Sequence, residues 1–201
     1  MKKIPFLSQF ITNPRTVGAI LPSSNYLGDK MTENINFQEA KYIVEYGPGT
    51  GVFTEKIIKK RNPNTVILLI ENNLEFYFLL REKYLEVENV HIQYGSAEQI
   101  ERYLKEFEIP YVDYIISGLP FSSLPKNVSH NILLNSAKIL KDNGLFITFQ
   151  YTQLKKAFIK KFFARIDTKR EFRNFPPAYI FSCCKVKKHT EELEDVKNTH
   201  C

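Results

Sequence analysis

From Lys41 to Tyr151 the chain alternates between two hydrophobic periods. The runs KYIVEYG (41–47), TVILLIE (65–71), NVHIQYG (89–95), VDYIISG (112–118) and LFITFQY (145–151) are short and rich in β-branched and aromatic residues. TVILLIE is almost wholly apolar, as expected of a parallel strand covered on both faces. Between these runs, apolar residues fall at helical spacing. GVFTEKIIKK carries Val52, Phe53, Ile57 and Ile58, and NLEFYFLLREKYL, AEQIERYLKEF and NVSHNILLNSAKIL follow in turn, the last closed by a KDNG turn. Five strands with helices between them predict right-handed crossovers and an α/β, Rossmann-like, doubly wound sheet, mostly parallel. A basic helix is expected near residues 152–163, and RIDTKREFRNF and AYIFSCCKV flank Pro176 and Pro177 as an antiparallel hairpin closing the sheet. Ligands of such sheets sit outside the carboxyl ends of the strands, where the loops after Tyr46, Ile70, Tyr94 and Ile116 converge.

Ahead of this pattern, Ile4, Phe6, Leu7, Phe10 and Ile11 crowd one face of a short helix that Pro5 can start and Lys2 and Lys3 precede. Two uses fit it equally: lying in a membrane interface, and packing across the ligand site as a lid. The division expected is therefore an amino-terminal helical segment (1–36), a catalytic domain (37–188) and an acidic tail (189–201). Length and composition, 201 residues with 43% apolar, suit one folded domain without disulfides. Cys183, Cys184 and Cys201 form neither a disulfide framework nor a zinc site, and no metal is expected. No apolar run is long enough for a signal-peptide core or a membrane span, which predicts a cytoplasmic protein, and a monomer is expected.

Charge changes the picture through its placement. Residues 1–150 hold 16 basic and 16 acidic side chains, and residues 151–188 hold 11 and 2. The excess behind the net charge of +6 thus sits in one stretch, KKAFIKKFFARIDTKREFR, with Phe among the lysines. Such a stripe attracts phosphate, whether of nucleic acid or of an anionic membrane, although many basic runs are only solvated helix faces.

The chemistry centres on VEYGPGTGVF. Glu45 ends the first strand, and Gly47, Gly49 and Gly51 lead into the first helix, where free amides and the helix dipole meet a ligand. The dinucleotide pattern needs glycine at position 52, which is Val52, and a carboxylate beside the loop repels pyrophosphate. The same carboxylate suits a cationic amino group, and Glu71, ending the second strand, suits ribose hydroxyls. A ligand with an ammonium end and a ribose end satisfies both.

On these residues the chain resembles the class I S-adenosylmethionine-dependent methyltransferases. The pattern acid, x, Gly, x, Gly, x, Gly runs from Glu45 to Gly51, and Glu71 matches the acid after strand two. The resemblance implies S-adenosylmethionine as cofactor, held by Glu45, Tyr46, Gly47, Gly49 and Gly51 at the methionine end and by Glu71 and Asn72 at the ribose. Where the family places Asp at the adenine, this chain has Ser96, with Glu98 two residues on, so backbone at Ser96 and Ala97 takes that contact. Ser117 completes the set, and Ser117, Gly118, Leu119, Pro120 and Phe121 form the acceptor turn.

Two subgroups resemble that turn. Adenine N6 methyltransferases, including the ribosomal RNA dimethylating enzymes, carry Asn, Asp or Ser, an apolar residue, Pro and an aromatic; here Gly118 takes the polar place. The small soluble bacterial phospholipid N-methyltransferases resemble SGLP (117–120), NPRTVGAILPSS (13–24) and NFPPAYIF (174–181). The expectation is methylation of the headgroup amine of phosphatidylethanolamine, towards phosphatidylcholine, by a protein resting on the inner face of the plasma membrane. Phe6, Phe10, Tyr26, Tyr151, Tyr179, Lys155, Lys156, Lys160 and Lys161 are its expected membrane or headgroup contacts, aromatic faces suiting quaternary nitrogen. His130 is the nearest thing to a proton acceptor, although a lone histidine on an amphipathic helix is more often structural. The alternatives are an RNA adenine N6-methyltransferase, disfavoured by Gly118 and by the lack of a further helical domain, and an inactive cofactor-binding or scaffolding protein, favoured only by Ser96.

Overall fold

The structure, a computed structural model, describes residues 24–174 and 176–185. The expected helix at 4–11, with Phe6 and Phe10, and the acidic tail at 189–201 lie outside the described residues.

The elements, in chain order, are α1 (Asn25–Thr32), β1 (Tyr42–Tyr46), α2 (Val52–Lys60), β2 (Val66–Glu71), α3 (Leu74–Tyr84), β3 (Val90–Tyr94), α4 (Ile100–Glu106), β4 (Val112–Ser117), α5 (Lys126–Ile139), β5 (Leu140–Gln150), α6 (Lys156–Ile159), β6 (Arg165–Glu171) and β7 (Ala178–Cys184). The strands form one sheet in the order β3-β2-β1-β4-β5-β7-β6. The first five are parallel, and β7 pairs antiparallel with both β5 and β6. This is the doubly wound sheet with a terminal hairpin that the hydrophobic pattern predicts. The strand order reverses between β1 and β4, and the crevice of such a sheet opens there.

Strand alternation divides the core in two. Ile43, Ile67, Leu69, Ile116 and Ile147 face α1 and α2 and pack with Leu27, Met31, Phe53 and Ile57. Val44, Tyr46, Leu68, Ile115 and Phe146 face the other way, against α4 and α5 through Ile100, Tyr103, Ile132 and Leu133. The described part of the 1–36 segment belongs to this core, since Leu27 and Met31 are wholly buried. Helix α1 starts at Ser24, whose Oγ accepts from Leu27 N at 3.1 Å. Of the two neighbouring cysteines, Cys183 is buried and Cys184 half-buried, as their alternation predicts.

Two local features differ from the pattern. The helix expected over 152–163 is only the four residues of α6, with no side chain capping its amino end. Only Ile159 and Phe163 of this stretch are fully buried in the core, too few anchors to hold a longer helix against the repulsion of its lysines. The KDNG turn lies inside β5. Leu140 pairs with Val112 and Leu145 with Tyr114, so residues 141–144 bulge out opposite Asp113, with Asn143 at φ 68°.

Asp113 explains why the bulge is tolerated. Its side chain is wholly buried, Oδ2 accepts from Lys41 N at 2.8 Å and Tyr42 N at 2.9 Å, and Oδ1 pairs with Lys141 of the bulge. One carboxylate thus ties β4, β5 and the entry to β1. Asp113→Ala, leaving two partly buried amides without their acceptor, is expected to cost about 2 kcal/mol, read as a lowered urea midpoint, with Asp113→Asn costing less. An unchanged midpoint in the alanine variant would contradict this role.

Candidate active site

Period-two alternation decides what the end of β1 offers. Glu45 falls on the face shared with α2 and Tyr46 on the opposite one. Glu45 is wholly buried; Oε2 accepts from Thr54 Oγ1 at 2.7 Å, and Oε1 is enclosed with no hydrogen-bond partner among the described residues. Removal from water pushes its carboxyl up to about 8; the Thr54 hydrogen bond opposes the rise and the nearby Glu71 charge adds to it. A buried carboxylate oxygen with nothing to accept from marks a place for a cationic or hydrogen-donating ligand.

Glu71 lies on the same face of the sheet, one strand away. Its Oε2 accepts from Gly49 N at 3.0 Å and its Oε1 from Asn73 N at 2.9 Å, so it ties the end of β2 to the glycine loop. Its own carboxyl is raised by burial, with the amide hydrogen bonds acting against the rise. Asn72 is exposed beside it, and the Asn73 side chain caps α3. The loop from Gly47 to Gly51 turns through positive φ at all three glycines. At Gly49, φ is 57° and no atom lies within 4 Å of a Cβ placed there, so the backbone faces open space with its amide fixed by Glu71.

The turn after β4 meets this loop directly. Gly118 N donates to Tyr46 O at 2.8 Å, and a Cβ at Gly118 would sit 2.6 Å from the carbonyl oxygen of Gly47. Glycine is required there by close approach of backbone. Ser117 is buried and its Oγ accepts from Leu119 N at 3.3 Å, holding the turn closed. Leu119 rests against Gly47, and the Pro120 carbonyl accepts from the amides of Ser123 and Leu124.

Other expected contacts turn elsewhere. The Tyr46 ring is wholly buried on the α5 face, where its hydroxyl accepts from Ser136 Oγ at 3.3 Å; only its backbone belongs to the site. Phe121 is also wholly buried, edge-on to Phe146 at 6.1 Å, so it anchors the turn in the core and presents no face to an acceptor. Ser96 Oγ is occupied by Glu98 N, and Glu98 bonds to Asn131, so neither side chain is free at the position of the family Asp; Ala97 is buried. Tyr26 and Tyr179 each carry an arginine on one face already, Arg173 at 4.3 Å and Arg170 at 5.0 Å. Tyr151 is half-buried, its ring 5.7 Å from Phe149. Lys155 lies 5.7 Å over Phe158, Lys156 is half-buried, and Lys160 and Lys161 are exposed. His130 is exposed, edge-on to Phe162 at 5.1 Å on α5.

Two contributors escaped the sequence reading. Thr54 sits on the first turn of α2, where one helical turn brings it back over Glu45. Gln150 ends β5 and its amide donates to Leu119 O at 3.2 Å; a polar residue closing the apolar run LFITFQ was the available signal.

A doubly wound sheet with an acid at the end of β1, a glycine loop, a second acid after β2 and an acceptor turn after β4 defines a class I S-adenosylmethionine-dependent methyltransferase. A ribosomal RNA adenine dimethylase model matches residues 1–173, and the chain belongs to that family. It is 29% identical over 186 residues to the ornithine lipid N-methyltransferase of Singulisphaera acidiphila, covering 91% of this chain and 96% of that protein. It is 26% identical over 140 residues to the ribosomal RNA small subunit methyltransferase A of Borreliella burgdorferi, covering 70% of this chain and 44% of that enzyme. The match thus spans less than half of the ribosomal RNA enzyme. Among solved structures, an S-adenosylmethionine-dependent O-methyltransferase of Thermotoga maritima superposes with a TM-score of 0.61 at 17% identity, over 92% of this chain and 72% of that one. A methyltransferase of Aquifex aeolicus gives 0.61 at 15% identity, over 92% and 100%. The cofactor is S-adenosylmethionine, and the unpartnered oxygen of Glu45 fits its ammonium group, with open space beside Gly49 for the close approach of a ligand.

The raised carboxyl of Glu45 sets a pH signature. Its folded value lies above its ordinary one, so its stabilising contribution is full below about pH 4.5 and is lost as pH rises through about 8. The ligand-free thermal midpoint is expected to fall across that window, and Glu45→Gln, which can keep the Thr54 hydrogen bond, is expected to flatten the fall. A cation beside Glu45 favours the ionised form. Cofactor binding at pH 7 is therefore expected to release close to one proton in the wild type and none in Glu45→Gln. Calorimetry in buffers of different ionisation enthalpy reads this directly, and equal release by both proteins would remove Glu45 from the site.

Proposed function

We propose that this protein transfers methyl groups to the amine of a membrane-lipid headgroup, phosphatidylethanolamine or an aminolipid such as ornithine lipid. The observation that carries the reading is Gly118. Adenine enzymes that resemble this chain place a polar side chain there, and here the Gly47 carbonyl, 2.6 Å from the Cβ position, excludes any side chain. The match along 96% of an ornithine lipid N-methyltransferase supports the same choice. Ribosomal RNA is the second reading, favoured by the family and by the relatives that methylate it.

In this reading Glu45 and the glycine loop hold the methionine end of the cofactor, Glu71 and Asn72 the ribose, and backbone at Ser96 and Ala97 the adenine. The turn from Ser117 to Pro120 holds the acceptor. Bound there, the cofactor would supply an electrophilic methyl on a sulfonium to the lone pair of the neutral amine, the C–S bonding pair staying on sulfur and the product losing a proton to water wherever it still carries an N–H. The protein's part is alignment and exclusion of water. Parallel methyl-transfer assays with phosphatidylethanolamine vesicles, ornithine-lipid vesicles and unmodified ribosomal RNA test the reading. Label in a lipid amine is expected, and label in RNA alone would overturn it.

The protein works at the membrane surface, on the inner face of the plasma membrane. Lys155, Lys156, Lys160 and Lys161, with Phe158 and Leu154 among them, form its basic contact; Leu154 is 84% exposed. Each lysine near an anionic surface contributes about 1 kcal/mol. Replacing all four by Gln is expected to weaken flotation with phosphatidylglycerol-containing vesicles by at least tenfold while leaving cofactor affinity unchanged. Undiminished flotation would remove this contact.

A further inference from the structure

The adenine N6 methyltransferases that this turn resembles hold their acceptor amine with a backbone carbonyl of the turn and a polar side chain at the position of Gly118. This chain lacks that side chain, and the carbonyls of Leu119 and Pro120 are already engaged. The Gly118 side chain is excluded by Gly47. The Leu119 carbonyl already receives two donors, Gln150 Nε2 at 3.2 Å and Phe121 N at 3.1 Å, which fill its two lone pairs. The Pro120 carbonyl likewise receives two amides, those of Ser123 at 2.9 Å and Leu124 at 3.1 Å. Neither carbonyl has a lone pair left for an entering amine, and no side chain at residue 118 can supply an acceptor.

Gln150 supplies one. It is 4% exposed at the carboxyl end of β5, two residues beyond Thr148, which pairs with Ser117 of β4. Its orientation follows from its partner. The group facing the Leu119 carbonyl must be the NH2, because two oxygens would repel, so Oε1 takes the remaining direction. Nε2 also lies 3.5 Å from Thr148 Oγ1. Oε1 receives no donor among the described residues and is absent from the fully enclosed, unpartnered atoms. We propose that Gln150 Oε1 accepts a hydrogen bond from the N–H of the acceptor amine, so that the polar function missing at Gly118 comes from the neighbouring strand. Donation by Nε2 to Leu119 polarises the amide and strengthens Oε1 as an acceptor. The bond orients the amine, leaving its lone pair to point away from Gln150.

This inference rests on the lipid-amine reading, and it predicts an order among acceptors. A neutral primary amine has two N–H groups, its monomethyl form one and its dimethyl form none. Gln150→Met, similar in length and without polar hydrogens, is therefore expected to slow transfer to the primary amine at least about tenfold more than transfer to the dimethyl form, whatever loss both share from the freed Leu119 carbonyl. Vesicles of phosphatidylethanolamine and its N,N-dimethyl form, or of ornithine lipid and its dimethyl form, serve as probes, whichever headgroup the wild type labels. Binding gives a readout independent of turnover. With S-adenosylhomocysteine bound, the wild type is expected to bind dihexanoyl phosphatidylethanolamine at high pH more tightly than Gln150→Met does, with the two proteins equal towards dihexanoyl phosphatidylcholine. Gln150→Asn, one methylene short of Leu119, should show the same order of loss if the methionine variant does not fold. Equal losses across all acceptors, with the binding preference intact, would make Gln150 merely structural and overturn the inference while the lipid reading stands. Failure of the wild type to label any lipid amine would overturn both.

Discussion

The carbonyl oxygen of Gly47 occupies the space in which a side chain at residue 118 would begin, and the functional end of the molecule is arranged around that contact. The doubly wound topology places β1 beside β4, so the glycine loop after β1 and the turn after β4 leave the sheet side by side. Two glycines let their backbones touch, and the Gly118 amide closes the joint on the Tyr46 carbonyl. Glu71 fixes the other side of the same loop through the Gly49 amide, and Leu119 fills the gap above Gly47. The glycine loop and the turn after β4 are therefore joined directly, backbone to backbone. A methyl transfer that depends on alignment within fractions of an ångström gains from such a joint more than from any single side chain.

Much of this was legible in the sequence because it is written in periodicity. Alternating strand and helix patterns place the five parallel strands, and the acids after β1 and β2 fall where the sheet ends. Legibility failed where tertiary contact, rather than local pattern, sets the outcome. Tyr46 and Phe121 look like exposed aromatic faces when read beside their motifs, yet alternation and the depth of the turn send both rings into the core. Thr54 and Gln150 are single polar residues in unremarkable settings, and their partners lie 9 and 31 positions away. The basic stretch reads as a long helix from its composition, but two buried apolar residues cannot hold one together, and a single turn remains.

Charge is sorted by depth. The carboxylates of Glu45 and Glu71 are enclosed at the carboxyl end of the sheet, where low polarity raises their proton affinity and prepares a niche for positive charge. The arginines of the hairpin take the opposite course. Arg173 grips Glu171 through two nitrogens, at 2.9 and 3.1 Å, holding that carboxyl down at about 2, and then lies over Tyr26. Asn174 beside it accepts from Ser24 N at 3.2 Å, so the hairpin also seats the start of α1. These arginines are partly committed to holding the hairpin, which leaves the lysines of residues 155–161 as the more available cations of the basic stretch.

The clamp at Asp113 also governs the order in which the protein can be assembled. The first amides of β1 find their acceptor 72 residues later in the chain, and the whole β4-facing edge of β1 is unpaired until β4 exists. At ribosomal speeds of about 5–20 residues per second, about 4 to 14 seconds separate synthesis of the two strands. During that interval β1 and β2 form an apolar ribbon with an open edge in the middle of the future sheet, the kind of surface that chaperones bind and that aggregates recruit. The central position of β1, which sets the glycine loop beside the turn after β4, thus leaves an apolar strand edge open in the nascent chain until β4 arrives.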